Sequence, residues 1–268
     1  MHLKGLLAAL LAAVFLAGCA PRVPEPVPTS FPGIDMWRYP GASALRTWGE
    51  ASPYQWIGLY LQSPCHRNDS WMGTRAEIER LGWGIAVLYV GQQTFDGVPE
   101  LEEEPDEIIC SRTLLTEEQG RRDGRDAVAK TASEGFPPGS TVFLNIERME
   151  TVPYSMVMYY RAWLEEVLRD GRFTPGTYAH RRNAETLFGH ARVAFIEAGR
   201  NDLPPYWIAG GTGFTLAAEP TDIGIPYATI WQGALDVRRE WGGVALDIDE
   251  NVATSPNPSA PAGLRASR

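Results

Sequence analysis

Hydrophobic and polar positions along the chain switch repeatedly between two periods. Short apolar runs with strand character recur at Ile34–Trp37, Trp56–Leu61, Gly84–Val90, Thr141–Glu147, Thr174–Tyr178, Tyr206–Ala209, Ala228–Gln232 and Val244–Asp249. Helical spacing falls between them, at Ala42–Glu50, Thr74–Leu81, Thr116–Glu134, Ser155–Arg169 and Asn183–Ala198. The run GIAVLYV at 84–90 is apolar throughout, as a strand buried on both faces must be. Thr116-Glu117-Glu118-Gln119 reads as a capping box, and Gly171 as the stop of the preceding helix. Alternating strands and helices on this scale predict an α/β chain folded as a (β/α)8 TIM barrel, with the last helices short or missing before Ala228 and Val244. A doubly wound open sheet fits less well, because no Gly-rich phosphate fingerprint follows the first strand.

The ends of the chain read differently from its body. Lys4 and the apolar run Leu6–Ala17 make residues 1–18 a signal peptide, too short to span a bilayer. The run ends in Leu16-Ala17-Gly18-Cys19, which resembles the bacterial lipobox. That resemblance implies cleavage before Cys19, a diacylglycerol on its sulfur and an acyl chain such as palmitate on its amine, enough for stable anchoring. An ordinary signal peptide with a chance cysteine is the alternative. Ala20 is not the Asp that retains lipoproteins at the inner membrane, so the expected location is the cell envelope, lipid-anchored at the outer membrane and facing the periplasm or the cell surface. Residues 19–30 hold Pro21, Pro24, Pro26 and Pro28 and form a tether, at about 3.1 Å per residue in polyproline geometry. The folded body covers residues 31–252, and the Pro-rich segment 253–268 is expected to be disordered.

Composition narrows the partners. The formal charge is −9, with only Lys4 and Lys130 as lysines, which excludes nucleic acid as the main ligand. After Cys19 only Cys65 and Cys110 remain, and an even pair in an exported protein predicts a disulfide. Its loop is worth about 4 kcal/mol in the chain-entropy picture. A catalytic thiol beside His66 is the competing reading, disfavoured in an oxidising compartment. His66, His180 and His190 lack zinc-ligand spacing, and no metal or cofactor is expected. The acidic run Glu102–Glu107 fits no calcium-binding loop.

In a barrel the chemistry sits at the carboxyl ends of the strands. Those ends place Asp35, Tyr89, Gln92, Asn145, Glu147, Tyr178, Trp207, Gln232, Asp247 and Asp249 at one mouth. Strand alternation puts Asn145 with Glu147, and Asp247 with Asp249, on shared faces. Clustered carboxylates raise one another's pKa, the condition for a general acid in glycoside cleavage.

The motifs GIDMW (33–37), LGWGIAVLYVGQQ (81–93), FLNIE (143–147), GTYAH (176–180), YWIAG (206–210), IWQG (230–233) and GGVALDID (242–249), taken in order, resemble the bacterial glycoside-hydrolase-like domain, a family of unknown function similar to the family-25 lysozymes. The resemblance implies a TIM barrel at the envelope, with Cys65 and Cys110 on neighbouring loops. It also implies that Glu147 is the general acid, assisted by Asp35 and by an Asp of the last strand, Asp247 or Asp249. Tyr89, Gln92, Asn145, Tyr178, Trp207, Gln232 and Asp249 are the candidate substrate contacts. Asn145 stands where those lysozymes carry Asp; an amide cannot serve as nucleophile or base. Two functions remain open: hydrolysis of peptidoglycan or another amino-sugar polymer, and an inactive glycan-binding or envelope-organising module.

Overall fold

The computed structural model describes residues 29–94 and 110–264. The signal peptide, the Cys19 lipidation site, the tether up to residue 28, the acidic run 102–107 and the last four residues lie outside the described residues. In chain order the elements are β1 (Phe31–Asp35), α1 (Ala42–Ala51), β2 (Trp56–Leu61), α2 (Arg75–Arg80), β3 (Gly84–Val90), α3 (Glu117–Ser133), β4 (Thr141–Ile146), α4 (Tyr154–Asp170), β5 (Thr174–His180), α5 (Arg181–Glu197), β6 (Tyr206–Ala209), β7 (Ala228–Trp241) and β8 (Val244–Ala253).

The eight strands close into a barrel in sequence order. β1 through β7 pair in parallel, whereas β8 is antiparallel to both β7 and β1. The missing last helices have a local cause. Between β6 and β7 there is only a single 3-10 turn, Pro220–Ile223. Between β7 and β8 there are only Gly242 and Gly243, at φ +58° and +80°. Positive φ at both central positions is what a tight hairpin requires, and so short a link forces the next strand to run back. The mouth therefore receives the middle of β8, at Asp249, not its carboxyl end. β7 also runs nine residues past the expected Gln232, because 233–241 forms the outer arm of this hairpin.

Aromatic rings fill the barrel interior. Trp207 stands edge-on to Trp56, Phe143 and Tyr178 at centroid separations of 5.4, 5.9 and 5.5 Å. Each large buried ring contributes about 2–3 kcal/mol by leaving water, and together they form a rigid floor beneath the mouth. Above β2 and β3, Cys65 and Cys110 are joined in the expected disulfide, with Cα atoms 4.8 Å apart. The Cys65 N–H also donates to the Val90 carbonyl at the end of β3.

The Pro-rich carboxyl segment departs from the expectation of disorder. It folds under the barrel as a strap. The Ser259 N–H donates to the Ile85 carbonyl, its hydroxyl accepts from the Val87 N–H, and its carbonyl accepts from the Thr141 N–H. Asn257 Oδ1 accepts from the Ile85 N–H at 3.0 Å. β3 and β4 are hydrogen-bonded to each other only from Val87 and Val142 onward, so their amino ends would otherwise leave backbone groups unpaired. Proline and serine composition suggested a solvated tail; pairing to this open seam is what orders it.

Candidate functional site

Asp35 ends β1 at the mouth and is almost fully buried. It accepts three hydrogen bonds: Tyr60 Oη donates to Oδ1 at 2.6 Å, and Gln232 Nε2 and Asn251 Nδ2 donate to Oδ2 at 2.9 and 2.8 Å. Asp249 lies opposite it, in register across the β1–β8 pair. The same Gln232 Nε2 donates to Asp249 Oδ2 at 3.1 Å, so one amide bridges two carboxylates. A bulge in β7 completes this arrangement. The pairing shifts between Ala234 and Val237, and Asp236 takes φ +52°, which no other non-glycine among the described residues does with positive sign. Its N–H is thereby aimed at Asp249 Oδ1, 2.7 Å away.

Glu147 follows β4 directly. Gln93 holds it there: Gln93 Oε1 accepts the Glu147 N–H at 3.0 Å, and Gln93 Nε2 donates to the Asn145 carbonyl at 2.9 Å. Tyr178 on β5 donates its hydroxyl to Gln232 Oε1 at 2.6 Å. Burial raises the Glu147 pKa, the negative charge of Asp35 adds to the rise, and the Asn145 amide opposes it. Burial likewise raises Asp35, against the pull of its three donors. Asp249 is pushed up to about 7, by burial and then by Asp35. Tyr178 is held protonated by burial and then by the charges of Glu147, Asp35 and Asp249. Two carboxylates sharing one amide favour a single negative charge between them.

Further out, Trp37 is 52% exposed at the rim and meets the buried His66 edge-to-face at 4.2 Å, and Tyr60 packs beside both, 5.0 Å from that imidazole and 6.2 Å from Trp37. Burial and the nearby Arg38 push the His66 pKa down to about 4, so the ring is neutral. Asn145 Oδ1 is buried and finds no partner among the described residues. A buried acceptor without a donor costs about 1–3 kcal/mol, which a ligand N–H or O–H placed there would recover.

The structure thus brings together Asp35, Asn145, Glu147, Tyr178, Gln232 and Asp249. It does not bring Asp247, which lies on the outer arm of the β7–β8 hairpin, exposed and paired to Arg238 at 3.0 Å. The bulge and the hairpin lift that part of β8 clear of the barrel rim. Tyr89 faces the helices instead, donating its hydroxyl to Asp126 of α3 at 2.9 Å. Gln92 faces the same way and accepts the Ser111 N–H at 2.7 Å. Trp207 is wholly buried beneath the mouth and donates its indole N–H to Asn251 Oδ1, which supports Asp35 from below. Tyr60 stands at a strand end, as the sequence pattern places it; Gln93 and Asn251 are site residues beyond those singled out from the sequence. Asn251 shares strand parity with Asp249, a usable signal; Gln93 follows Gly91, where strand alternation no longer holds. Among the described residues no group of His, Cys, Asp and Glu is arranged to hold a metal.

A closed barrel gathers its acids and amides at the mouth where the carboxyl ends of the parallel strands meet, the place where barrels of this kind carry their sites. Solved structures with the same fold include an uncharacterized protein of B. stearothermophilus, at TM-score 0.53 and 18% identity, covering 83% of this chain and 95% of that one. The spore cortex lytic enzyme SleM of Clostridium perfringens matches at TM-score 0.54 and 14% identity, over 86% and 69% of the two chains. The catalytic domain of endolysin ply40, from bacteriophage P40 of Listeria monocytogenes, matches at 0.52 and 13%, over 83% and 92%. No curated protein sequence matches significantly. The profile of the Rv2525c-like, glycoside hydrolase-like domain matches residues 46–253, and the chain belongs to that family.

Proposed function

We propose that the mouth binds an amino-sugar glycan of the peptidoglycan type and cleaves it with Glu147 as general acid. The observation that carries this reading is the convergence of Glu147, raised by burial, with a hydrogen-bonded Asp35 and an unpartnered Asn145 acceptor at the strand ends of one barrel mouth. Protonated Glu147 donates to the glycosidic oxygen as the bond from that oxygen to the anomeric carbon breaks. Asn145 replaces a carboxylate, so the natural partner is the substrate's own acetamido group, whose carbonyl oxygen attacks the anomeric carbon. Asn145 Oδ1 accepts the acetamido N–H, and Asp35 offsets the positive charge that develops. Water then opens the intermediate, with the Glu147 carboxylate taking its proton. Trp37 offers a ring face on which a sugar stacks. SleM is named as lytic for spore cortex, and the solved LytC of Streptococcus pneumoniae holds a synthetic peptidoglycan ligand, at 15% identity and over 46% of its length; both support the glycan reading.

Glu147→Gln should lose all release of reducing ends from peptidoglycan while keeping the parent's thermal midpoint. An unchanged rate in that variant overturns the assignment. The amide at Asn145 favours a second reading, a glycan-binding module without turnover; it requires saturable binding of glycan fragments and no new reducing ends from the parent. We also propose that Cys19 anchors the mature chain to the envelope membrane. Labelled palmitate should enter the parent and not Cys19→Ala, and the variant should leave the membrane fraction.

A further inference from the structure

Behind β3, the helices α3 and α4 enclose a chain of polar groups that the cleavage step does not use. Gly120 and Gly124, about one turn apart on α3, let the two helices touch. A Cβ on Gly120 would run into the Tyr159 carbonyl oxygen, and one on Gly124 would lie 2.9 Å from Glu166 Cβ. That approach sets the buried Asp123 of α3 against the buried Tyr159 of α4. Tyr159 donates its hydroxyl to Asp123 Oδ2 at 2.6 Å, and Gln119 Nε2 donates to Oδ1 at 2.8 Å. The Tyr159 oxygen in turn accepts the Gln92 N–H at 3.1 Å, just past the end of β3. Gly91 leaves the phenol its room, since a Cβ there would lie 2.5 Å from Tyr159 Oη. The Gln92 amide also donates to Asp123, and its Oε1 accepts the N–H of Ser111, the residue after the disulfide-bonded Cys110. The next residue, Gln93, is the clamp on Glu147 and Asn145.

We propose that Asp123 is a positioning residue for Glu147, acting through Tyr159 and Gln92 on the Gln93 clamp, and that its charge sets how firmly the clamp is held. The proposal rests on the role of Glu147 in the mouth and adds a pH-responsive support behind it. An ionised carboxyl polarises the phenol that donates to it, and the phenol oxygen then holds the Gln92 N–H more firmly. A protonated carboxyl is a weaker acceptor, so the chain slackens at the peptide next to Gln93. Gln92 reaches toward the helices and Gln93 toward β4, so movement of one peptide passes directly to the other. Burial lifts Asp123 to about 6, against the bonds from Tyr159 and Gln119, and the charge of Asp126 adds to the rise. The other polar groups around it have partners of their own. Asp126 takes Lys130 at 2.7 Å and the Tyr89 hydroxyl of β3 at 2.9 Å. Glu165 and Glu166 of α4 pair with Arg121 and Arg125 at 3.6 and 3.5 Å. Tyr89 and Tyr159 are held protonated by burial and then by the charge of Asp123.

The test follows backbone amides by NMR as pH is varied, in the parent, in Asp123→Asn and in Tyr159→Phe, which keeps the ring and removes the relay. In the parent, the Gln92 and Glu147 amides should share a step with its midpoint at about 6. In both variants the Glu147 amide should lose that step. The Asp236 amide, which donates to Asp249, should keep its own step at about 7 throughout and so report an intact mouth. With peptidoglycan as substrate, kcat of Asp123→Asn should be about one-tenth of the parent's at pH 7.5, with KM unchanged, and should approach the parent's at pH 5, where Asp123 is protonated in both senses of the comparison. That ratio cancels the titrations of Asp35, Glu147 and Asp249, which parent and variant share. A shared step that survives at Glu147 in Asp123→Asn, a step at Gln92 alone, or a kcat ratio equal at both pH values overturns the positioning role and leaves the glycan reading intact. A parent that shows the shared step yet releases no reducing ends supports the positioning and overturns only the cleavage reading.

Discussion

Asp249 owes its chemistry to contacts that no neighbour in sequence supplies. Its carboxyl takes one hydrogen bond from a strained backbone N–H and one from an amide it shares with Asp35. Burial and the second carboxyl raise its pKa from 3.8 to about 7. In the unfolded chain the group titrates near its ordinary value, so between about pH 4 and 7 the folded state binds a proton that the unfolded state releases. The stability this confers is complete below about pH 4 and is lost as pH rises through 7. Asp123, raised to about 6 by burial against the hydrogen bonds that Tyr159 and Gln119 donate to it, acts in the same direction. The parent's thermal midpoint should therefore fall from pH 4 to pH 8, and Asp249→Asn should flatten the upper part of that fall. A slope identical in parent and variant would show that Asp249 titrates normally.

Among the elements, β2 shows how a strand sets the geometry of a carboxyl it does not carry. Gly58 faces the base of Asp35; a Cβ there would lie 2.6 Å from the Asp35 Cβ and 3.1 Å from Leu88 Cδ1. Neither neighbour has room to yield, since both are walled by the barrel. Gly58→Ala should cost about 1–3 kcal/mol in denaturant unfolding and should weaken glycan binding beyond what the stability loss explains. A variant with parent-like binding and stability would show the space to be softer than its packing implies. The periodicity of β1 through β7 was legible because parallel barrel strands are apolar on both faces, and Glu147, Asp35 and Asn145 followed from their place at strand ends. The direction of β8 was less legible: a missing last helix was visible before Val244, but the pattern of apolar positions carries no strand direction, and only the positive φ of Gly242 and Gly243 turns the chain back. Tyr89 and Gln92 were misplaced because a strand buried on both faces offers no polar contrast to say which side chains face the helices.

For the molecule as a whole, the strap at residues 254–261 decides whether the barrel is closed at its base. It supplies partners to the backbone of Ile85, Val87 and Thr141, and it buries Ser259 to 1% exposure in the seam between β3 and β4. Removing it exposes that seam to water at best and leaves some of those groups unpaired, each at about 1–3 kcal/mol. The seam lies at the opposite end of β4 from Glu147, so damage should reach the site only through the rigidity of β3 and β4. A chain ending at Ala253 should unfold at a denaturant midpoint lower by the equivalent of about 3 kcal/mol or more, and amide exchange should speed up first at Ile85 and Val87. Ser259→Gly, which keeps the backbone and removes only the hydroxyl that Val87 uses, should show a smaller loss at the same amides. If the truncated chain matches the parent in midpoint and exchange, the segment is a passive tail and the barrel closes without it.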